Sequence, residues 1–225
     1  MSKFINIVKE AYEKAEKGIS KISEDIVKLD GMSGTKTRHF YNNVVSMDDA
    51  RYLEIGTWKG STVCAAMYGN KATVTCIDNW SNFGGPKQEF LDKFNKFKGE
   101  NNAKYIENDC FKVDVSSIPK INIYLYDGSH ARDEHYLALE HYYDCLDDTF
   151  IFIVDDWNWR GVREATVNSI RDLDLTVLYE KEITVGPAPN HTISYEPSYS
   201  IDTATCDWDG WWNGIYFAVL QKKQY

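Results

Sequence analysis

Five acidic side chains and one histidine are spaced so that they could do chemistry together. Glu54, Asp78, Asp127, Asp155 and Asp156 each stand where an apolar, β-branched or aromatic run stops: YLEIGTWKGST (52–62), VTCIDNW (74–80), INIYLYDGSH (121–130) and FIFIVDDW (150–157). An acid closing the strand after a glycine turn can accept hydrogen bonds from the two hydroxyls of a ribose, and Asp78 follows Gly56 by 22 residues. Asp127, Asp155 and Asp156 would repel one another if they converged. A hard divalent cation relieves that repulsion, and an all-oxygen set points to Mg²⁺, with Ca²⁺ or Mn²⁺ as alternatives. His130, three residues beyond Asp127, is the first candidate for a general base, ahead of His135, Asp155 and Asp127.

The elements that must position these groups are legible from the same runs. Parallel strands buried on both faces read as continuous apolar stretches, and in open α/β sheets ligands lie beyond the carboxyl ends of such strands. Strands are expected over 51–55, 73–78, 121–126 and 150–154, with another at KYIEND before Asp109 and two more at 175–185 and 214–222. Helical spacing marks 61–68, 87–97, 130–146 and a shorter helix over 161–173. The order β–α repeated, then two strands, predicts a doubly wound, mostly parallel seven-stranded sheet. Residues 1–48 are expected to form an N-terminal helical extension and lid, with a break near Gly18, and 49–225 the catalytic domain. Neighbouring strands lie roughly 5 Å apart, so Asp127 would meet the pair at 155–156. Successive strand residues face opposite ways, so Asp155 and Asp156 can share one ion only if the strand has already ended. The alternative is that Asp127 contacts only a cofactor while the pair caps the next helix.

Composition narrows the class. A chain of 225 residues, 43% hydrophobic and 26% charged, is globular, and its net charge of -9 argues against nucleic acid or an anionic membrane as the main partner. No apolar stretch approaches the ~20 residues of a membrane span, and the charged start does not read as a secretory signal. Cys64, Cys76, Cys110, Cys145 and Cys206 are odd in number and share no metal-type spacing, which fits a reducing, cytoplasmic setting. Trp157, Trp159, Trp208, Trp211 and Trp212 could line a cleft or fill the core. Lys36, Arg38 and His39, in a turn bracketed by Gly31 and Gly34, could close over a cofactor carboxylate or receive an anionic substrate. A solvated loop is the alternative. The 28-residue excursion from Gly186 to Asn213 is long enough to suggest function.

The turn Glu54-Ile-Gly56-Thr57-Trp-Lys-Gly60-Ser61-Thr62 runs from strand to helix but lacks the GxGxxG spacing of dinucleotide folds. Glu54 would oppose a pyrophosphate and suits a cationic or zwitterionic ligand better. Taken with Ile77-Asp78, Asn108-Asp109 and Asp127-Gly-Ser-His130, it resembles a class I S-adenosylmethionine-dependent methyltransferase. More narrowly, it is similar to the branch with macrocin- and novobiocin-type sugar O-methyltransferases and cephalosporin-hydroxylase-like proteins. The resemblance covers about 50–170 and implies a Rossmann-like methyltransferase fold. It implies a donor site of Glu54, Gly56, Thr57, Gly60, Ser61, Thr62, Asp78, Asn79, Trp80, Asp109, Cys110 and Asp127. Glu54 and Gly56 would lie by the methionine and ribose part, Asp78 on the ribose hydroxyls, and Asp109 with Cys110 beside the adenine. It implies a divalent ion on Asp127, Asp155 and Asp156, and a sugar, polyol or glycan acceptor. The sequence departs from many relatives at Leu146-Asp-Asp-Thr149, where they carry a Gly-Gly turn.

The expectation is therefore a metal-assisted O-methyltransferase, catalytic through His130, Asp127 and Asp155, able to form a homo-oligomer. A metal-independent small-molecule methyltransferase and a non-catalytic module of a glycan-assembly complex are the alternatives.

Overall fold

Alternate residues of the central strands feed two separate apolar cores, one on each face of a single sheet. In the computed structural model, which describes residues 3–186 and 207–223, seven strands pair: β1 (Arg51–Ile55), β2 (Thr73–Asp78), β3 (Asn102–Glu107), β4 (Ile121–Tyr126), β5 (Leu146–Asp155), β6 (Thr176–Ile183) and β7 (Ile215–Gln221). Their order is β3-β2-β1-β4-β5-β7-β6. The first five are parallel, and β7 runs antiparallel to both β5 and β6. The order turns back between β1 and β4, which is where such sheets open a crevice for ligands.

Helices α1 (Lys3–Glu16), α2 (Glu24–Val27), α3 (Thr35–Val45), α4 (Ser61–Met67) and α5 (Lys87–Phe97) contribute to one core, which takes Tyr52, Val74, Ile123, Ile151 and Phe217 from the sheet. The other core joins Leu53, Ile77, Tyr124, Phe152 and Tyr216 to α6 (Arg132–Tyr142) and α7 (Arg160–Asp172). All six residues of β4 are buried, as expected of a central strand. An irregular register between Ile121 and Ile123 lets Ile121 share a core with Tyr124 and Tyr126, against strict alternation.

Three boundaries differ from the sequence expectation. β5 begins at Leu146, so the polar Asp147-Asp148-Thr149 is strand instead of turn: Ile121 pairs with Leu146 and Thr149 with Gln221. The helix after β5 is the longer one, 13 residues against 11 in α6. The N-terminal apolar pattern breaks near Gly18 (φ 63) as expected, with α1 ending at Glu16, but it resumes only as the four-residue α2. Among the described residues Cys64, Cys76, Cys110 and Cys145 are free thiols; Cys206, with most of the excursion before β7, lies outside them. No described helix is long and apolar enough to cross a membrane.

Candidate active site at the carboxyl edge of the sheet

The turn after β1 is built against the end of β4. Gly56 sits at φ 87, and a Cβ there would lie 1.8 Å from the Asp127 carbonyl oxygen, so only glycine fits. The Asp127 amide in turn donates to the Ile55 carbonyl at 2.9 Å. Gly60, also left-handed at φ 79, leads directly into α4 with Ser61 and Thr62 buried. Ser61 Oγ lies 3.1 Å from Ser33 Oγ, which ties this turn to the N-terminal segment. Thr57 is buried as well.

Glu54 and Asp78 divide the work of shaping this edge. Glu54 is fully buried and accepts from Tyr52 Oη at 2.6 Å and Thr62 Oγ1 at 2.7 Å. Burial pushes its carboxyl up to about 7, although the Tyr52 and Thr62 hydrogen bonds work against that rise. Asp78 accepts from the Trp58 amide at 2.7 Å and the Trp80 amide at 2.6 Å. Trp58 (φ 41) and Trp80 (φ 48) are both left-handed, a conformation costly for bulky residues. Trp80 Nε1 closes the arrangement on the Trp58 carbonyl at 2.8 Å. Asp78 thus braces a strained pair of loops, and each of its oxygens keeps a lone pair for a ligand hydroxyl. Asn79 Oδ1 accepts from the Ser81 amide and hydroxyl. Asp109 caps a short 3₁₀ turn at 110–112, where partly buried Cys110 begins.

The carboxylates after β4 and β5 meet, with a different third partner from the one expected. Ligand atoms of Asp127, His130 and Asp156 all lie within 4.8 Å of one another. Asp156 follows the last residue of β5 at φ 54, and this left-handed step turns it away from the strand. Its Oδ2 is 2.8 Å from His130 Nε2, and its Oδ1 accepts from Asn213 Nδ2 at 3.0 Å. Burial works against the Asp156 charge, but His130 and the Asn213 amide outweigh it and hold the pKa low. Asp155 is not in that trio. It is 1% exposed, and its Oδ1 has no hydrogen-bond partner among the described residues. Burial and then the Asp156 charge push its carboxyl well up; Asp127 is raised in the same way, by burial and then by Asp155 and Asp156.

The histidines and the basic turn sort differently. His130 packs edge-on against Trp159 with centroids 4.7 Å apart, and its Nδ1 is buried without a partner among the described residues. His135 is a core residue: it bonds Thr166 Oγ1 at 3.0 Å, and burial lowers its pKa to about 3. Arg38, 3% exposed, does not reach a ligand site. Its guanidinium donates to the carbonyls of Ile26, Val27, Leu29 and Gly31 and to Ser33 Oγ. Lys36 pairs with Glu16 and His39 with Ser20. The polar groups of α3 that are buried without partners among the described residues are instead the Thr37 and Tyr41 hydroxyls, one helical turn apart and both 0% exposed. Sequence reasoning passed over Tyr41 because an aromatic residue among apolar helix positions reads as core. Of the tryptophans, Trp157, Trp211 and Trp212 are buried, while Trp159 and Trp208 are exposed.

Residues 53–157 match the family described as "Methyltransferase domain". No curated protein matches the chain by sequence. Among solved structures, the fold is similar to an S-adenosylhomocysteine-bound methyltransferase, PaMTH1, from Podospora anserina, at 11% identity and TM-score 0.56, over 100% of this chain and 89% of that one. It is similar to cofactor-bound Rv0187 from MTB at 11% identity and TM-score 0.57, over 95% and 91%. A candidate O-methyltransferase from Klebsiella pneumoniae aligns at 12% identity and TM-score 0.56, over 98% and 91%.

Proposed function

We propose, from the premise that this chain is a class I S-adenosylmethionine-dependent methyltransferase, that it transfers the methyl group to a hydroxyl of a sugar or related polyol with help from a divalent metal ion. The observation that carries the reading is the meeting of Asp127, His130 and Asp156 within 4.8 Å, beside the crevice between β1 and β4.

The donor lies along the turn after β1 and the end of β2. Asp78 takes the ribose hydroxyls; Gly56, Thr57, Gly60, Ser61, Thr62, Asn79 and Trp80 line the same edge, and Asp109 with Cys110 flanks the adenine. Glu54, with both oxygens held by Tyr52 and Thr62, serves by fixing the turn. Methyl transfer is an in-line displacement: the acceptor oxygen forms a bond to the methyl carbon as the carbon–sulfur bond breaks, giving a methyl ether and S-adenosylhomocysteine. The protein's task is to orient the acceptor and receive its proton.

Two carboxylates and an imidazole with atoms this close suit a divalent ion, and the nitrogen donor widens the choice from Mg²⁺ to Mn²⁺. Asp127, His130 and Asp156 would hold it. Such an ion, when bound, lowers the pKa of a coordinated hydroxyl. A second reading, without metal, is favoured by the 2.8 Å contact between His130 Nε2 and Asp156 Oδ2. Asp156 then keeps the proton on Nε2 and leaves Nδ1 as the base, with Asp156 as its orienting partner. Turnover of a polyol acceptor after EDTA treatment separates the two. Loss of methyl ether formation with recovery on adding Mn²⁺ or Mg²⁺ supports the metal; undiminished turnover supports the His130–Asp156 pair. No methylation of any hydroxyl acceptor would overturn both.

A further inference from the structure

The loop after β5 carries two tryptophans, and the fold treats them oppositely. Trp157 is 1% exposed, stacks on Tyr216 with centroids 4.4 Å apart and donates from Nε1 to Glu182 at 2.9 Å. Trp159, two residues on, stays 40% exposed while its ring meets the His130 imidazole at 4.7 Å and 83°. That exposure does not come from a loose loop. The Trp159 amide donates to the Asp156 carbonyl at 3.0 Å, and the Asn158 amide to the Asn213 carbonyl at 2.9 Å. The Asn158 side chain exchanges two hydrogen bonds with the Val185 backbone, and Arg163 Nη1 donates to the carbonyls of Trp157 and Asn158 at 2.7 Å each. A backbone held at so many points presents the indole with little left to order on binding, which suits a large, rigid contact group. Its apolar face, left in water beside a candidate base, is stabilised by whatever covers it.

We propose that Trp159 is the acceptor platform of this site, and that the acceptor is a cyclic sugar whose C–H face lies on the indole while adjacent hydroxyls turn toward the Asp127–His130–Asp156 trio. The inference rests on the methyltransferase reading and narrows its acceptor from any polyol to a ring. The chemistry of the lining argues for that choice. A pyranose is two-sided, with C–H groups on a face and hydroxyls around its rim. The described residues match it with one aromatic wall beside two carboxylates and an imidazole. A planar phenol is better served by a slot that is apolar on both faces. An open-chain polyol has no flat face to lay on the ring and must freeze several torsions to bind.

The test is steady-state kinetics of the full chain, at saturating S-adenosylmethionine, with methyl glycopyranosides, open-chain alditols and catechol as acceptors. Wild-type protein should methylate at least one glycopyranoside with kcat/KM about tenfold or more above any alditol and above catechol. Trp159→Ala should raise KM for that glycopyranoside about tenfold, keep kcat within about threefold of wild type and leave S-adenosylhomocysteine affinity unchanged, as for a contact made equally in ground and transition states. Its kcat/KM for alditols should stay at the wild-type value. Trp159→Phe keeps an aromatic face and should recover most of the loss. A fall in kcat with KM unchanged would make Trp159 a support for His130 and overturn the platform. A phenylalanine variant no better than alanine, or preferred turnover of an alditol or of catechol, would overturn it too. No methyl transfer to any of these acceptors, by protein that binds S-adenosylhomocysteine, overturns the platform together with the hydroxyl acceptor. Protein that binds no S-adenosylhomocysteine would refute the methyltransferase reading itself.

Discussion

Asn213 Nδ2 donates to Asp156 Oδ1 at 3.0 Å, joining the residues just before β7 to the end of β5. Asn213 is buried, and its amide leaves the other Asp156 oxygen for His130. Groups that orient a metal ligand or a base typically matter 10–100-fold. Asn213→Ala should therefore lower turnover by about that factor while sparing S-adenosylhomocysteine affinity. Paired kinetics and calorimetry check this, and an equal loss in both would make Asn213 a general structural residue.

Asp78 and Asp156 should separate donor binding from chemistry. Asp78→Ala removes the acceptor that braces Trp58 and Trp80, so donor affinity should fall by about tenfold or more. Asp156→Ala should spare that affinity and cut methyl transfer about 100-fold, in the range of a lost acid–base group. Titration and single-turnover rates on the two variants decide the matter; matching profiles would end the division.

Arg38 should prove structural. Arg38→Met leaves four buried or half-buried carbonyls short of a donor and should cost about 3 kcal/mol or more of unfolding free energy. Lys36→Met removes only a partly exposed ion pair with Glu16 and should cost less than about 1 kcal/mol. Urea denaturation of both variants tests the contrast.

Glu54 makes stability depend on pH. Its folded pKa of about 7 stands above the ordinary 4.5, so the folded state binds the extra proton between those values. The contribution is complete below pH ~4.5 and is lost as pH rises through ~7, amounting to about 3 kcal/mol at ~1.4 kcal/mol per pKa unit. Glu54→Gln cannot lose a proton, so it should gain stability relative to wild type from pH 5 to pH 8. Denaturation curves at both pH values, showing an unchanged difference, would contradict this.

The parallel core was legible because its strands are buried on both faces: INIYLY and FIFIV leave no other reading. Gly56 and the acids at the strand ends followed from position along the chain. What escaped depended on contacts between distant segments. Polar Asp147-Asp148-Thr149 joins β5 because Leu146 pairs with Ile121 and Thr149 with Gln221, a pairing that no local pattern announces. His130 stands where Asp155 was expected, and Asp156 turns left-handed, a step that aspartate takes more readily than most residues but that an Asp-Asp pair does not assign to either member. Arg38 looked like a ligand for an anion because charge alone does not reveal which backbone carbonyls will claim it.

The segment before β7 reaches from one functional limit to another. The Gly210 carbonyl accepts from the Lys36 amide at the start of α3, and three residues later Asn213 holds Asp156. Because β7 enters the sheet against the direction of β5, its upstream residues emerge beside the parallel strand ends without any crossover. A change at Gly210 or Asn213 would therefore be felt at once by the start of α3 and by the Asp156 end of β5.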